Sequence, residues 1–151
     1  MTTIRVETII GASIEVCFDL SRSLRAHVAT TSNSKERVVS QHEQDLLGLD
    51  DAVTFEAVHF GVRQRLTSRI VAFEYPRSFS DQMLNGAFKS LRHDHLFDEF
   101  ELEKTKMIDV LTFESPFGFV GKLVDRLFLR RYMEKFIRER GLALKSLAER
   151  T

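Results

Sequence analysis

Residues 90–115 read SLRHDHLFDEFELEKTKMIDVLTFES, two alternating runs on either side of Glu101-Leu102-Glu103. In the first run Leu91, His93, His95 and Phe97 share one side, and Arg92, Asp94, Leu96 and Asp98 the other, because successive side chains of a strand point to opposite faces. The second side is the more charged, so the histidine side is the one expected to face the interior. In the second run Met107, Asp109, Leu111 and Phe113 alternate with Lys106, Ile108, Val110 and Thr112. A bend at 101–103 makes the two runs an antiparallel hairpin, with Glu99 opposite Thr105, Phe97 opposite Met107, His95 opposite Asp109 and His93 opposite Leu111. After Pro116 the period changes. From Phe117 to about Glu149, Val120, Leu123, Val124, Leu127, Phe128, Phe136, Ile137, Leu144 and Leu147 recur at helical spacing against a charged face. Gly118, Gly121 and Gly141 soften that helix.

Upstream, TIRVETII (3–10) alternates as a half-buried strand and Gly11 breaks it. Ser13 is placed to cap a helix beginning at Ile14, and the spacing of Ile14, Cys17, Phe18, Leu20, Leu24 and Val28 gives two short helices joined near Ser21 to Ser23. From Lys35 to Ser115 six strand-like runs succeed one another, beginning with ERVVSQHEQDLL (36–47), AVTFEAVHF (52–60) and VRQRLTSRIVAFE (62–74). Turn signals at Gly48–Asp51, Gly61, Pro76 and Asn85-Gly86 separate them. The expected fold is α+β: a curved antiparallel sheet of about seven strands wrapped around a long C-terminal helix, with two short helices after the first strand. No repeat, low-complexity tract or linker divides residues 1–151, which read as one domain.

Composition narrows the function classes. Lys+Arg and Asp+Glu are both 22, so the formal net charge is zero. That argues against binding a nucleic-acid backbone, which needs a basic excess or face. The cluster Arg126, Arg130, Arg131, Lys135, Arg138 and Arg140 is interleaved with acids and reads as the solvated face of a helix. Cys17 is the single cysteine, flanked by Val16 and Phe18, which suggests a buried, inert thiol and excludes an intrachain disulfide. There is no secretory leader pattern and no apolar run near the ~20 residues that span a bilayer, so a cytoplasmic protein is expected. No Gly-rich phosphate loop and no Gly-x-Ser-x-Gly nucleophile motif occurs. No cofactor is expected.

With these elements in order, the chain resembles the START/birch-pollen-allergen superfamily, SRPBCC, and its helix-grip fold. The opening VETIIGASIEVCFDL (6–20) is similar to the start of that superfamily. His27, VTFEAVHFG (53–61), PRSFSDQMLNGAFKSLRHDHLF (76–97), TKMIDVLTFESPFG (105–118) and YMEKFIRERGLALK (132–145) resemble one bacterial branch described as cyclase/dehydrase-like. The resemblance implies a deep, largely apolar cavity between the sheet and the C-terminal helix. Such a cavity carries a lipid, sterol, quinone or polyketide, or in a minority of members performs an aromatase, cyclase or hydrolase step.

The polar residues expected at that cavity are His93, His95 and Asp109, with Asp81 and His59. His27, on the second short helix, is placed to reach the cavity mouth. Phe55, Phe79, Phe97, Met107, Phe113 and the inner face of the C-terminal helix are expected to supply apolar lining. Tyr132, Met133 and Phe136 read as core. A three-residue bend at 85–87 pairs Phe79 with His93 and Asp81 with Leu91, and a two-residue turn there would flip the parity. A buried carboxylate beside an imidazole calls for a His95–Asp109 hydrogen bond, which also fixes the histidine tautomer. Four readings compete: a satisfied structural pair, polar anchors for a hydrophobic ligand, a general acid–base pair for cyclisation or dehydration, or a metal site on His93, His95, an Asp and His59. The ligand-binding reading leads, with the His95–Asp109 acid–base enzyme as its alternative and a lipid-handling accessory protein as a further one. Metal binding ranks last, because a lone His-x-His is weak evidence.

Overall fold

The computed structural model describes residues 1–116 and 118–150. Seven strands, β1 (Thr2–Ile10), β2 (Arg37–Val38), β3 (Ala52–His59), β4 (Val62–Glu74), β5 (Ser78–Asn85), β6 (Ser90–Glu101) and β7 (Lys104–Glu114), form one antiparallel sheet in the order β1-β7-β6-β5-β4-β3-β2. Consecutive strands pair from β2 to β7, and β1 closes on the last of them. Register shifts in β4 near Thr67 and Ile70 bend the sheet, as bulges do. Helices α1 (Ile14–Ser21) and α2 (Leu24–Thr30) come after β1. The C-terminal segment is α3 (Gly118–Val124), a π-helical turn (Asp125–Leu129) and α4 (Arg130–Glu149), which packs on β1 and α1. The sheet grips α4, and this is the helix-grip arrangement.

Local chemistry explains the elements. Ser13 Oγ accepts from the Val16 N–H at 3.3 Å and Ser23 Oγ from the Ala26 N–H at 3.1 Å, so each short helix has an N-cap. In β1, Ile4, Val6, Thr8 and Ile10 are buried while the residues between them face out. Gly141 permits the close seat of α4 on β1: a Cβ there would lie 2.8 Å from Thr8 Oγ1. The His59–Val62 hairpin turns through Phe60 (φ 53°) and Gly61 (φ 72°), the left-handed pair that tight β-hairpins require. The larger of two apolar clusters centres on Phe18 and includes Ile10, Phe79, Phe97, Met107 and Leu144; the other gathers Ile4, Val6, Leu111, Phe113 and Ile137.

Three expectations are corrected. Of ERVVSQHEQDLL only Arg37–Val38 is strand. The rest turns back to the α1–α2 joint, where Asp45 accepts from Ser23 Oγ at 2.5 Å and from the Arg25 N–H at 2.8 Å, the latter a backbone donor that the helix start leaves free. On β5 and β6, Phe79 lies opposite His95 and Asp81 opposite His93, two residues from the expected pairing and with the same parity. The connection is wider than a three-residue bend, since pairing has already stopped at Gln82↔Arg92. Finally, Val120, Leu123, Leu127 and Phe128 are exposed, because it is α4 rather than the start of the helix that lies on β1. Periodicity reports an apolar face but not whether a surface covers it. Phe117, the expected helix start, lies outside the described residues, as does the side chain of Arg126. No helix among the described residues is long and apolar enough to cross a membrane.

Candidate functional site

Between α4, α2 and the concave face of the sheet lies an inner chamber of about 130 Å³. His93 and His95 project from β6, flanked by Asp81 from β5 and Asp109 from β7. Each carboxylate stands opposite one histidine and bonds the other. Asp81 is paired in register with His93 but accepts from His95 Nε2 at 2.8 Å. Asp109 is paired with His95 but accepts from His93 Nε2 at 2.8 Å. The expected His95–Asp109 hydrogen bond is therefore corrected: His95 Nδ1 lies 3.5 Å from Asp109 Oδ1 and has no hydrogen-bond partner among the described residues. The reason is reach. Nε2 is the far corner of an imidazole, so it overshoots a carboxylate directly across and meets the diagonal one. The rings stack in a column, Phe79 on His95 at 4.1 Å and 12°, and His95 on His93 at 3.7 Å and 20°.

This crossed arrangement sets the two histidines apart. Burial, reinforced by the neighbouring His95, holds His93 below the ordinary imidazole value despite Asp109. Burial also opposes charge on His95, but the carboxylates of Asp109 and Asp81 outweigh it and hold its pKa above the ordinary value. Burial is likewise overcome at both acids: His93 and His95 draw Asp109 far below the usual carboxylate range, and His95 lowers Asp81. Of the two rings, His95 is therefore the more readily protonated and His93 the less. With its Nε2–H given to Asp109, His93 has Nδ1 as its acceptor, the tautomer being assigned from that partner.

Asp81, His93 and His95 bring ligating atoms within 4.8 Å of one another. A metal ion must lie close to the plane of each imidazole that binds it. Stacked rings with centroids 3.7 Å apart and planes tilted by only 20° do not converge within the ~2.0–2.1 Å of a metal–nitrogen bond. The stacked pair does not fit one shared ion without a ring rotation.

An outer chamber of about 330 Å³ adjoins the inner one, and Glu36, Phe55, Leu66, Leu91, Met133 and Phe136 line both. His59 lies there, away from His93 and His95, with Nδ1 hydrogen-bonded to the Tyr132 hydroxyl. Of the expected apolar lining, Phe55 and Phe79 face a chamber. Phe97, Met107 and Phe113 are corrected: they line neither chamber but sit behind the cavity in the packed core. Asp109 stands behind His93 and touches the cavity through it. Tyr132, Met133 and Phe136, read as core, form the outer chamber's helical wall. His27 lines the inner chamber, stacked on Phe55 at 4.1 Å and bonded to Glu36 at 3.2 Å.

The residue sequence reasoning missed is Arg140. It is buried at 9% exposure and lines the inner chamber, whereas Arg130, Arg131, Lys135 and Arg138 lie on the outer part of α4. The signal was available. Arg140 stands three residues after Ile137 and four before Leu144, which places it on the apolar stripe despite its charge.

No family model matches the chain, and no curated protein does. Solved structures do. A protein of Thermus thermophilus superposes with a TM-score of 0.78 at 19% identity, covering 96% of this chain and 95% of that one. A START superfamily protein from Mycobacterium smegmatis gives 0.75 at 11% identity, with 98% and 97% covered. Major latex-like protein 151 from Panax ginseng gives 0.72 at 15% identity, with 97% of each covered. At these identities the likeness establishes the fold, and the chain has the SRPBCC fold.

Proposed function

We propose that the protein binds and carries a small hydrophobic molecule, of lipid, quinone or polyketide type, in the two adjoining chambers. The observation that carries this reading is the apolar outer chamber of about 330 Å³, which shares part of its wall with a smaller chamber edged by His27, Asp81, His93 and His95. A concave apolar site with a few convergent polar groups is the usual form of a small-molecule site. A bound ligand at a hundred times its Kd stabilises by about 2.7 kcal/mol. For a chain of this length that raises the melting midpoint by roughly 5–10 °C. Native mass spectrometry of protein from its own host, then a thermal-shift panel of lipids, quinones and polyketides, provides the test. Leu91 lines both chambers, so Leu91→Trp is expected to fold and to lose the shift. Recovery of no hydrophobic molecule, with no shift from any panel member, overturns the reading.

The alternative is a cofactor-independent cyclase or dehydratase. The observation that favours it is a pair of stacked histidines with opposite pKa shifts, since acid and base roles divide where environments push two groups apart. On this reading neutral His93, anchored by Asp109, accepts the proton and His95, held by Asp81, donates one. With a polyketide that turns over, His93→Ala is expected to reduce kcat, expressed per folded molecule, by roughly 10²–10⁴-fold. Unchanged turnover removes His93 from the chemistry.

A further inference from the structure

The least satisfied group in the cavity wall is a charge. Arg140 carries a guanidinium, with five donors and no acceptor. It is 9% exposed, it faces the inner chamber, and no hydrogen bond or ion pair from it occurs among the described residues. Its Nε is fully occluded and has no partner among them. The nearby carboxylates are engaged elsewhere. Glu36 bonds His27 at 3.2 Å and Ser34 at 3.2 Å, and Asp81 bonds His95 at 2.8 Å and Ser68 at 3.3 Å. These acids lie near enough for Arg140 to help lower their pKa values, but they make no pair with it and do not fill its donors. Leaving a buried ion without hydrogen bonds is costly, and a partner supplied from outside removes that cost.

We propose that Arg140 is an anion anchor, and that the ligand is a hydrophobic carboxylic acid whose carboxylate pairs with Arg140 in the inner chamber. This rests on the ligand-carrying reading above and names the class of molecule. The planar fork of a guanidinium matches two carboxylate oxygens, an arrangement that fixes orientation as well as affinity. The division of the cavity agrees. The inner chamber, about 130 Å³, has room for a head group, and the apolar outer chamber, about 330 Å³, for the body of the molecule. The acid enters head first along Met133 and Phe136, which belong to both walls.

A matched set of probes tests this on the purified protein: decanoic acid, methyl decanoate, 1-decanol and decyl phosphate, with affinities measured by calorimetry. Decanoate is expected to bind at least tenfold more tightly than its ester or the alcohol, and Arg140→Gln to remove that preference while the ester's affinity stays the same. Equal or tighter binding of the ester or alcohol overturns the anchor, and so does a preference for the acid that survives in Arg140→Gln. Tighter binding of decyl phosphate than of decanoate overturns the carboxylate assignment in favour of a phosphate head group. Failure of all four probes, together with an empty lipid panel, is failure of the carrier reading itself. Stability supplies a second readout. Arg140→Met is expected to raise the melting midpoint of the ligand-free protein, because it removes an unpaired buried charge; a large fall reveals a structural partner and overturns the proposal.

Discussion

Asp109→Ala is expected to destabilise the fold by about 3–5 kcal/mol at neutral pH, the usual cost of removing one partner from a buried charged pair. Asp109 is 3% exposed and serves both histidines: it accepts from His93 Nε2 at 2.8 Å and lies 3.5 Å from His95 Nδ1. Without it, His93 keeps a buried ring N–H with no acceptor, and His95 loses one of the two carboxylates that hold its pKa up. The penalty is pH-dependent. A carboxylate whose folded pKa is depressed contributes its stability above its unfolded value, here 3.8, and that contribution fades as the pH falls below it. The difference between wild type and Asp109→Ala therefore shrinks by about 1.4 kcal/mol per pH unit once below that value. Urea titrations of both proteins at pH 7 and pH 3 measure it. A difference that is constant across this range shows that Asp109 acts only by filling space.

Phe18→Ala is expected to cost a similar amount, about 3–5 kcal/mol, by a different mechanism. Phe18 is fully buried, with ring centroids of Phe73, Tyr75, Phe79 and Phe97 at 5.4, 5.0, 5.2 and 5.3 Å. These aromatic neighbours cannot all close on the vacated volume, because Phe73, Phe79 and Phe97 are held by three different strands, β4, β5 and β6. The loss also reaches the site. Phe79, which meets Phe18 edge-on, also stacks on His95, so slack at Phe18 loosens the Phe79–His95–His93 column. Denaturant unfolding gives the stability, and the histidine resonances report whether the column has moved. Phe18→Leu, which keeps most of the volume, is expected to cost less than half as much; equal losses from the two variants would show that packing at this position is not what matters.

The hairpin 90–115 was legible in its register although not in its turn: the chain reverses at Leu102-Glu103, with Glu101 paired to Lys104, and the register shift between Glu99 and Glu101 restores the expected opposition of His95 to Asp109 and of Phe97 to Met107. The other side of β6 was less legible, since the 85–90 connection is wider than a tight turn and moved Asp81 by two positions. Parity survived that shift, so the face was right and the partner wrong. The segment 36–47 has the alternation of a strand and is mostly not one. Its Asp45 meets the α1–α2 joint, a contact between residues about twenty apart that no local pattern contains.

By itself, then, the sequence determined what local periodicity and turn chemistry control: the order of elements, the α+β class, and the inward faces of β1, β6 and β7. Tertiary structure alone decided which polar groups meet. Direct opposition across the sheet suggested one His–Asp bond, whereas the length of an imidazole turned two opposed pairs into two crossed ones. The same holds for Arg140, a charged residue on an apolar stripe. Only the closure of α4 on the sheet takes its guanidinium out of water and leaves it facing the inner chamber among acids already bonded to other residues.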